Sequence, residues 1–103
     1  IRTYTYAPGD LPILMENWRS AIDVRLQFGP VTALWYTELG NLNKFIHIWP
    51  YKSLDERALT RSQAIATGNW PPALKAQKDG RKSYTLVAQE NKIVMPSAFS
   101  PLQ

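Results

Sequence analysis

Apolar and polar positions along the chain change their period repeatedly, and each change marks an element. "IRTYTY" alternates β-branched and aromatic side chains with period two before "APGD" interrupts it, which predicts a first strand over residues 1 to 7. From Asp10, placed as an N-cap, Leu11, Leu14, Met15, Trp18 and Ile22 recur at spacings of three and four until Gly29-Pro30, the pattern of a long amphipathic helix. "VTALWYTELG" reads as a second strand, and "GNLN" leads closely into "KFIHIWPY", so strands two and three form an antiparallel hairpin. "SLDE" at 53 to 56 has the form of a capping box, in which the Ser53 hydroxyl serves one free amide of a helix start and Glu56 reaches back to another. This second helix runs to about Thr67 and stops at Gly68-Asn69. "WPPALKAQ" adds a turn or two of helix before the Asp79-Gly80 turn, and "YTLVAQENKIVM" supplies the last strand.

The order strand, helix, strand, strand, helix, strand is α+β: a ferredoxin-like four-stranded antiparallel sheet with two helices on one face. A chain of 103 residues has room for one modest core, so residues 1–103 are read as a single domain. In strand three, Ile46 and Ile48 point one way while Phe45, His47, Trp49 and Tyr51 point the other; in strand two, Ala33, Trp35 and Thr37 oppose Leu34 and Tyr36. Placing the aliphatic side under the helices leaves Phe45, Trp49 and one aromatic of strand two on the open face. That is more apolar surface than the few hundred Å² a soluble monomer commonly exposes. A second copy of the chain is the simplest cover. The sheets are therefore expected to pair as a homodimeric α/β barrel around a cavity into which His47 and Trp49 project.

Composition narrows the chemistry. Apolar residues make up 45% and charged residues 19%, which excludes a disordered chain. The absence of cysteine removes disulfides, thiolate nucleophiles and thiolate metal sites, and a cytoplasmic setting fits. No apolar run approaches the roughly 20 residues of a membrane span, and the start at Ile1 without methionine is what removal of an initiator or short leader would leave. The net charge of +4 is scattered; its tightest group, Lys78, Arg81 and Lys82, is a small patch that argues against a nucleic-acid partner. Glycine-framed serine, phosphate-cradling and dinucleotide motifs are missing, as are clustered His or acidic ligands, so neither a metal nor another cofactor is expected. The RNA-recognition fold shares this strand and helix order, but the third strand here lacks the expected glycines and holds Ile46, His47 and Pro50.

The candidate chemistry centres on His47, the chain's only histidine. Its ordinary reading is a buried imidazole held by a neighbour; its functional reading is a general base, or a binder of an anionic or carbonyl group, in an apolar cavity. Phe45, Trp35 and Trp49 serve as interface core, as ligand wall, or as both. Arg57 and Arg61 lie four apart on helix two with no carboxylate three or four residues before either, so they repel by roughly 0.2–0.5 kcal/mol. They call for anions: a salt bridge to Glu38, Glu90 or a partner subunit, or a ligand carboxylate or phosphate. Asp55 and Glu56 are explained by the helix start. Glu90 and Asn91 alternate sides, so one of them shares the cavity with His47. Glu90 is the better chemical partner, because a carboxylate would raise the imidazole pKa and fix its tautomer. The tail from Pro96 to Gln103 reads as an extended segment laid over a surface. A single histidine could ligate haem, yet nothing else in the sequence argues for a porphyrin.

The stretches "IRTYTYAPGDL", "GNLNKFIHIWPYKSLDER", "NW" and "ENKIVMPSAFSPL" resemble the NIPSNAP family over nearly the whole chain, with Asn43, His47, Trp49, Tyr51, Ser53, Leu54 and Arg57 at characteristic spacing. The resemblance implies the dimeric α/β barrel superfamily, whose members include cofactor-free monooxygenases, haem-degrading enzymes, isomerases and proteins of unknown activity. NIPSNAP proteins themselves lack a settled reaction. The family is associated with mitochondria and vesicle traffic in animals, whereas a short single-domain chain looks like its bacterial branch. The expectation is a homodimer that binds a small, mostly apolar molecule near His47 and Trp49. The alternatives are a cofactor-free monooxygenase or isomerase with His47 as general base, and a structural or adaptor protein.

Overall fold

The computed structural model describes residues 1–102. Its elements run β1 (Arg2–Tyr6), α1 (Leu11–Leu26), β2 (Ala33–Tyr36), β3 (Lys44–Ile48), α2 (Leu54–Ala66), α3 (Pro72–Lys78) and β4 (Leu86–Asn91). The strands form one antiparallel sheet in the order β2-β3-β1-β4. Only β2 and β3 are joined as a hairpin; the two other pairings are bridged by helical crossovers, as the ferredoxin-like order requires. The hairpin link turns with positive φ at Gly40 and Asn43, where glycine and asparagine bear the left-handed backbone at least cost.

The helix starts follow the chain chemistry with two differences. Ser53 Oγ accepts from the Glu56 amide at 3.0 Å, but the Glu56 carboxylate accepts from the amide of Lys52, one residue before the position that closes a full capping box. Asp10 occupies the N-cap of α1 yet makes no side-chain cap; its carboxylate accepts instead from the Thr85 amide at 2.7 Å, tying the entry of α1 to that of β4. Pro12 stands in the first turn, where a missing amide hydrogen costs nothing. The last strand ends at Asn91, earlier than the sequence pattern predicts, and β3 ends at Ile48, so Trp49 lies just beyond it.

The strand register reverses the expected faces. Tyr4 pairs with Phe45 and Arg2 with His47, and these side chains lie beneath the helices, with Phe45 3% and His47 2% exposed. Ile46 and Ile48 pair with Trp35 and Ala33 on the other side, where Trp35 is 56% exposed. The aromatic side, not the aliphatic one, is therefore the helix-covered side. The physical reason lies in α1: its inward stripe presents Trp18, whose ring meets Phe45 at 4.8 Å and Trp70 at 5.2 Å edge-on. Edge-on ring pairs are favourable beyond the area they bury, so rings gather with rings. Leu14 and Ala21, both fully buried, complete the stripe. Asn17, buried beside them, donates to the Lys82 carbonyl at 3.3 Å and so meets its polar requirement. No helix among the described residues is long and apolar enough to cross a membrane.

Candidate ligand-binding site

A cavity of about 390 Å³ lies between the helix-covered face of the sheet and the helices, a size within the range of small-molecule sites. Its aromatic walls come from β1 (Tyr4, Tyr6), α1 (Trp18), the end of β3 (His47, Trp49) and the entry to α3 (Trp70). Its charges are guanidiniums: Arg2 from β1, Arg25 from α1 and Arg61 from α2 line it, and among the described residues no carboxylate does.

His47 sits at the centre of the rings. The indole Nε1–H of Trp49 donates to its Nδ1 at 2.7 Å, and an indole can only donate, so the imidazole proton resides on Nε2. That Nε2 is buried with no hydrogen-bond partner among the described residues. Burial above all, then the positive charges of Arg2, the amino group of Ile1 and Arg61, push the imidazole pKa down to about 3. The ring is thus neutral with its lone pair engaged. It is a hydrogen-bond donor in waiting, and proton abstraction by it is disfavoured on both counts.

Arg25 is buried to 2% exposure and has no acidic partner among the described residues. Its guanidinium donates to Tyr51 Oη at 2.7 Å and to the Gly29 carbonyl at 3.4 Å, and lies over the Trp49 ring at 4.3 Å from the centroid. Those contacts orient the group and stabilise its charge in part, but neutralise none of it. Arg61 carries a pKa held below the usual arginine range by burial first, then by Arg2 and Arg57. Among the described residues, the ion pairs join Lys75 to Asp79, Arg81 to Asp79 and Lys92 to Glu90, so neither Arg57 nor Arg61 has the Glu38 or Glu90 salt bridge weighed above.

The predicted site residues divide. His47, Trp49 and Arg61 come together at the cavity. Phe45 does not line it, but stacks behind His47 at 5.5 Å as core. Trp35 lies on the opposite face, because its partner in the register is Ile46. Glu90 pairs with Thr3 on that same far face, so Asn91 is the one that shares the side of Arg2 and His47, accepting from Arg2 Nε at 2.8 Å. The expected rise of the imidazole pKa beside a carboxylate is replaced by a fall. Arg2, Arg25, Tyr4, Tyr6 and Trp70 were not read as site residues. One signal was available for Arg25: it falls on the stripe of Leu14, Trp18 and Ala21, and a charge on the buried face of a helix asks for a reason.

The sequence matches the NIPSNAP family over residues 1–101. It is 30% identical to Protein NipSnap of Drosophila melanogaster across 100% of this chain and 36% of that protein, and 27% identical to the NipSnap homolog of Dictyostelium discoideum across 93% and 41%. The chain thus spans less than half the length of these relatives. Among solved structures, a NIPSNAP family protein of unknown function from Agrobacterium tumefaciens superposes with a TM-score of 0.79 at 31% identity, over 99% of this chain and 89% of that one. An uncharacterised NIPSNAP domain protein from Burkholderia xenovorans gives 0.79 at 26% identity, over 97% and 94%. With the match running along nearly its whole length and the fold shared with solved members, this chain belongs to the NIPSNAP family.

Proposed function

We propose that this domain binds a small organic anion with a flat apolar body, such as an aromatic carboxylate, in the cavity around Trp49. One observation carries the reading: the guanidiniums of Arg2, Arg25 and Arg61 line an aromatic cavity that, among the described residues, has no carboxylate in its walls. A charge withdrawn from water without a counter-charge is costly, and a bound anion removes that cost. The rings of Trp18, Trp49 and Trp70 suit a planar body, and the free Nε2–H of His47 suits an acceptor oxygen. Any catalysis would use His47 to polarise a carbonyl; the monooxygenase or isomerase alternative with His47 as base has little support from a ring whose lone pair is taken.

Titration calorimetry with 2-naphthoate and its neutral analogue 2-naphthylmethanol tests this. Naphthoate should bind at least about tenfold more tightly, a difference near 1.4 kcal/mol, and Arg61→Ala should erase the preference. Equal affinities, or no binding of either compound, would refute it.

The same reading includes a homodimer, with its interface on the face opposite the cavity. Trp35, Ile46, Ile48, Ala33 and Ala88 give that face its apolar character, and no helix lies over it. Sedimentation at micromolar concentration should find pairs of chains, and Trp35→Glu should separate them while leaving the cavity intact. Single chains in the unaltered protein would end this part of the reading.

A further inference from the structure

A second cavity, of about 430 Å³, adjoins the first and shares Arg2, Trp49, Tyr51 and Arg61 as a common wall. It lies between the start of α2 and the segment that follows β4. One side is apolar, from Ile48, Leu54, Ile93, Val94 and Met95. The other adds Lys52, Arg57 and Lys92 to the shared arginines, again with no carboxylate from the described residues in its lining. Among the described residues, Lys92 alone of these added cations has an acidic partner, Glu90 at 3.1 Å. Of the acidic groups nearby in sequence, Glu56 accepts from the Lys52 amide, and neither it nor Asp55 lines the cavity. Arg57 and Arg61 stand four apart on one helix, an arrangement that costs energy in isolation.

Resting on the small-anion reading above, we infer that the outer cavity is a subsite for a phosphate monoester, and that the ligand is one molecule with its flat apolar body inside and its phosphate outside. The charge decides the group. A single carboxylate leaves most of the clustered cations of the outer cavity unanswered, whereas a phosphate monoester brings nearly two negative charges and three acceptor oxygens. Arginine forks match those oxygens in pairs, and Arg57 with Arg61 supplies such forks from one rigid helix. The shared wall supplies continuity, because Arg61 and Arg2 border both spaces and a ligand reaching from one to the other passes them.

Two measurements separate this subsite from the inner one. In the first, calorimetry compares the 2-phosphoethyl ester of 2-naphthoic acid with its 2-hydroxyethyl ester on wild type and on Arg57→Ala, a residue that borders only the outer cavity. The phosphorylated ester should bind at least about tenfold more tightly to wild type. Arg57→Ala should cancel that advantage and leave the hydroxyethyl ester unaffected. Equal binding of the two esters, or an equal loss of both in Arg57→Ala, overturns the inference. In the second, inorganic phosphate alone should raise the melting temperature of wild type more than that of Arg57→Ala, with sodium chloride matched in ionic strength as the reference. If neither ester binds, the single-molecule part of the inference fails, while 2-naphthoate still decides the inner reading and this phosphate arm still decides the outer subsite; an identical rise in both proteins overturns it.

Discussion

Trp18→Ala should lower the stability of the domain by about 3–5 kcal/mol, the range for deleting a buried aromatic. The ring is 6% exposed and is the hub of the interior, meeting Phe45 at 4.8 Å, His47 at 5.0 Å, Trp70 at 5.2 Å and Trp49 at 6.4 Å. Its neighbours belong to β3, the residue just after it and the approach to α3, so nothing local to α1 can close the gap. The cost is the lost transfer energy of the indole together with the space left among rings that are too stiff to collapse into it. Against a typical domain stability of about 5–15 kcal/mol, such a loss is large enough to leave an appreciable unfolded fraction at room temperature. Urea denaturation measures it directly, with Leu39→Ala as a control at an 87% exposed position where a change within about 0.5 kcal/mol is expected. A cost under about 1 kcal/mol for Trp18→Ala would mean that the ring is not packed as described.

The second large effect is a stability that falls in mild acid because of one residue. The folded imidazole of His47 has a pKa near 3 against 6.5 when unperturbed. Between those values the unfolded chain holds a proton that the folded chain does not. Stability therefore is undiminished above pH 6.5 and drops by up to about 1.4 kcal/mol per pH unit below it, until the folded ring also protonates near pH 3. The comparison that isolates this term is wild type against His47→Gln, whose amide can still accept from Trp49 and donate onward. Between pH 6.5 and 5, where most carboxylates have yet to titrate, wild type should lose stability with a clear slope and the variant should stay nearly flat. Since His47 is the only histidine, its imidazole carbon-bound protons should also show no titration shift across that interval. Parallel slopes, or an imidazole shift centred near pH 6.5, would contradict the buried neutral ring.

Much of the fold was legible because its signals are local. Period-two alternation in "IRTYTY", the helical recurrence from Leu11 to Ile22, and the "SLDE" cap each report a backbone state through a few neighbouring residues, and each element stands where its pattern placed it. The faces of the sheet were not local. Alternation separates Phe45 and His47 from Ile46 and Ile48, but nothing within β3 says which set meets the helices. That choice is made by Trp18 and Trp70, distant in sequence, whose rings prefer rings. The site suffered the same way: His47, Trp49 and Arg61 were evident as unusual residues, whereas Trp35 and Glu90 were assigned to the cavity on the mistaken face. Arg25 was missed because its meaning depends on the absence of acids around it, a property of the assembled walls.

The four tryptophans are divided by the sheet. Trp18, Trp49 and Trp70 stand in mutual contact on one side, and Trp35 is alone on the other. If the proposed ligand enters the cavity, it meets this group and not the solitary ring, so a change in the emission of the clustered indoles is the expected optical sign of binding. The solitary ring keeps its own emission, open to an aqueous quencher until something seals that face. The chain thus carries indoles on both sides of its sheet, and an aqueous quencher should reach the exposed one far more readily than the buried cluster.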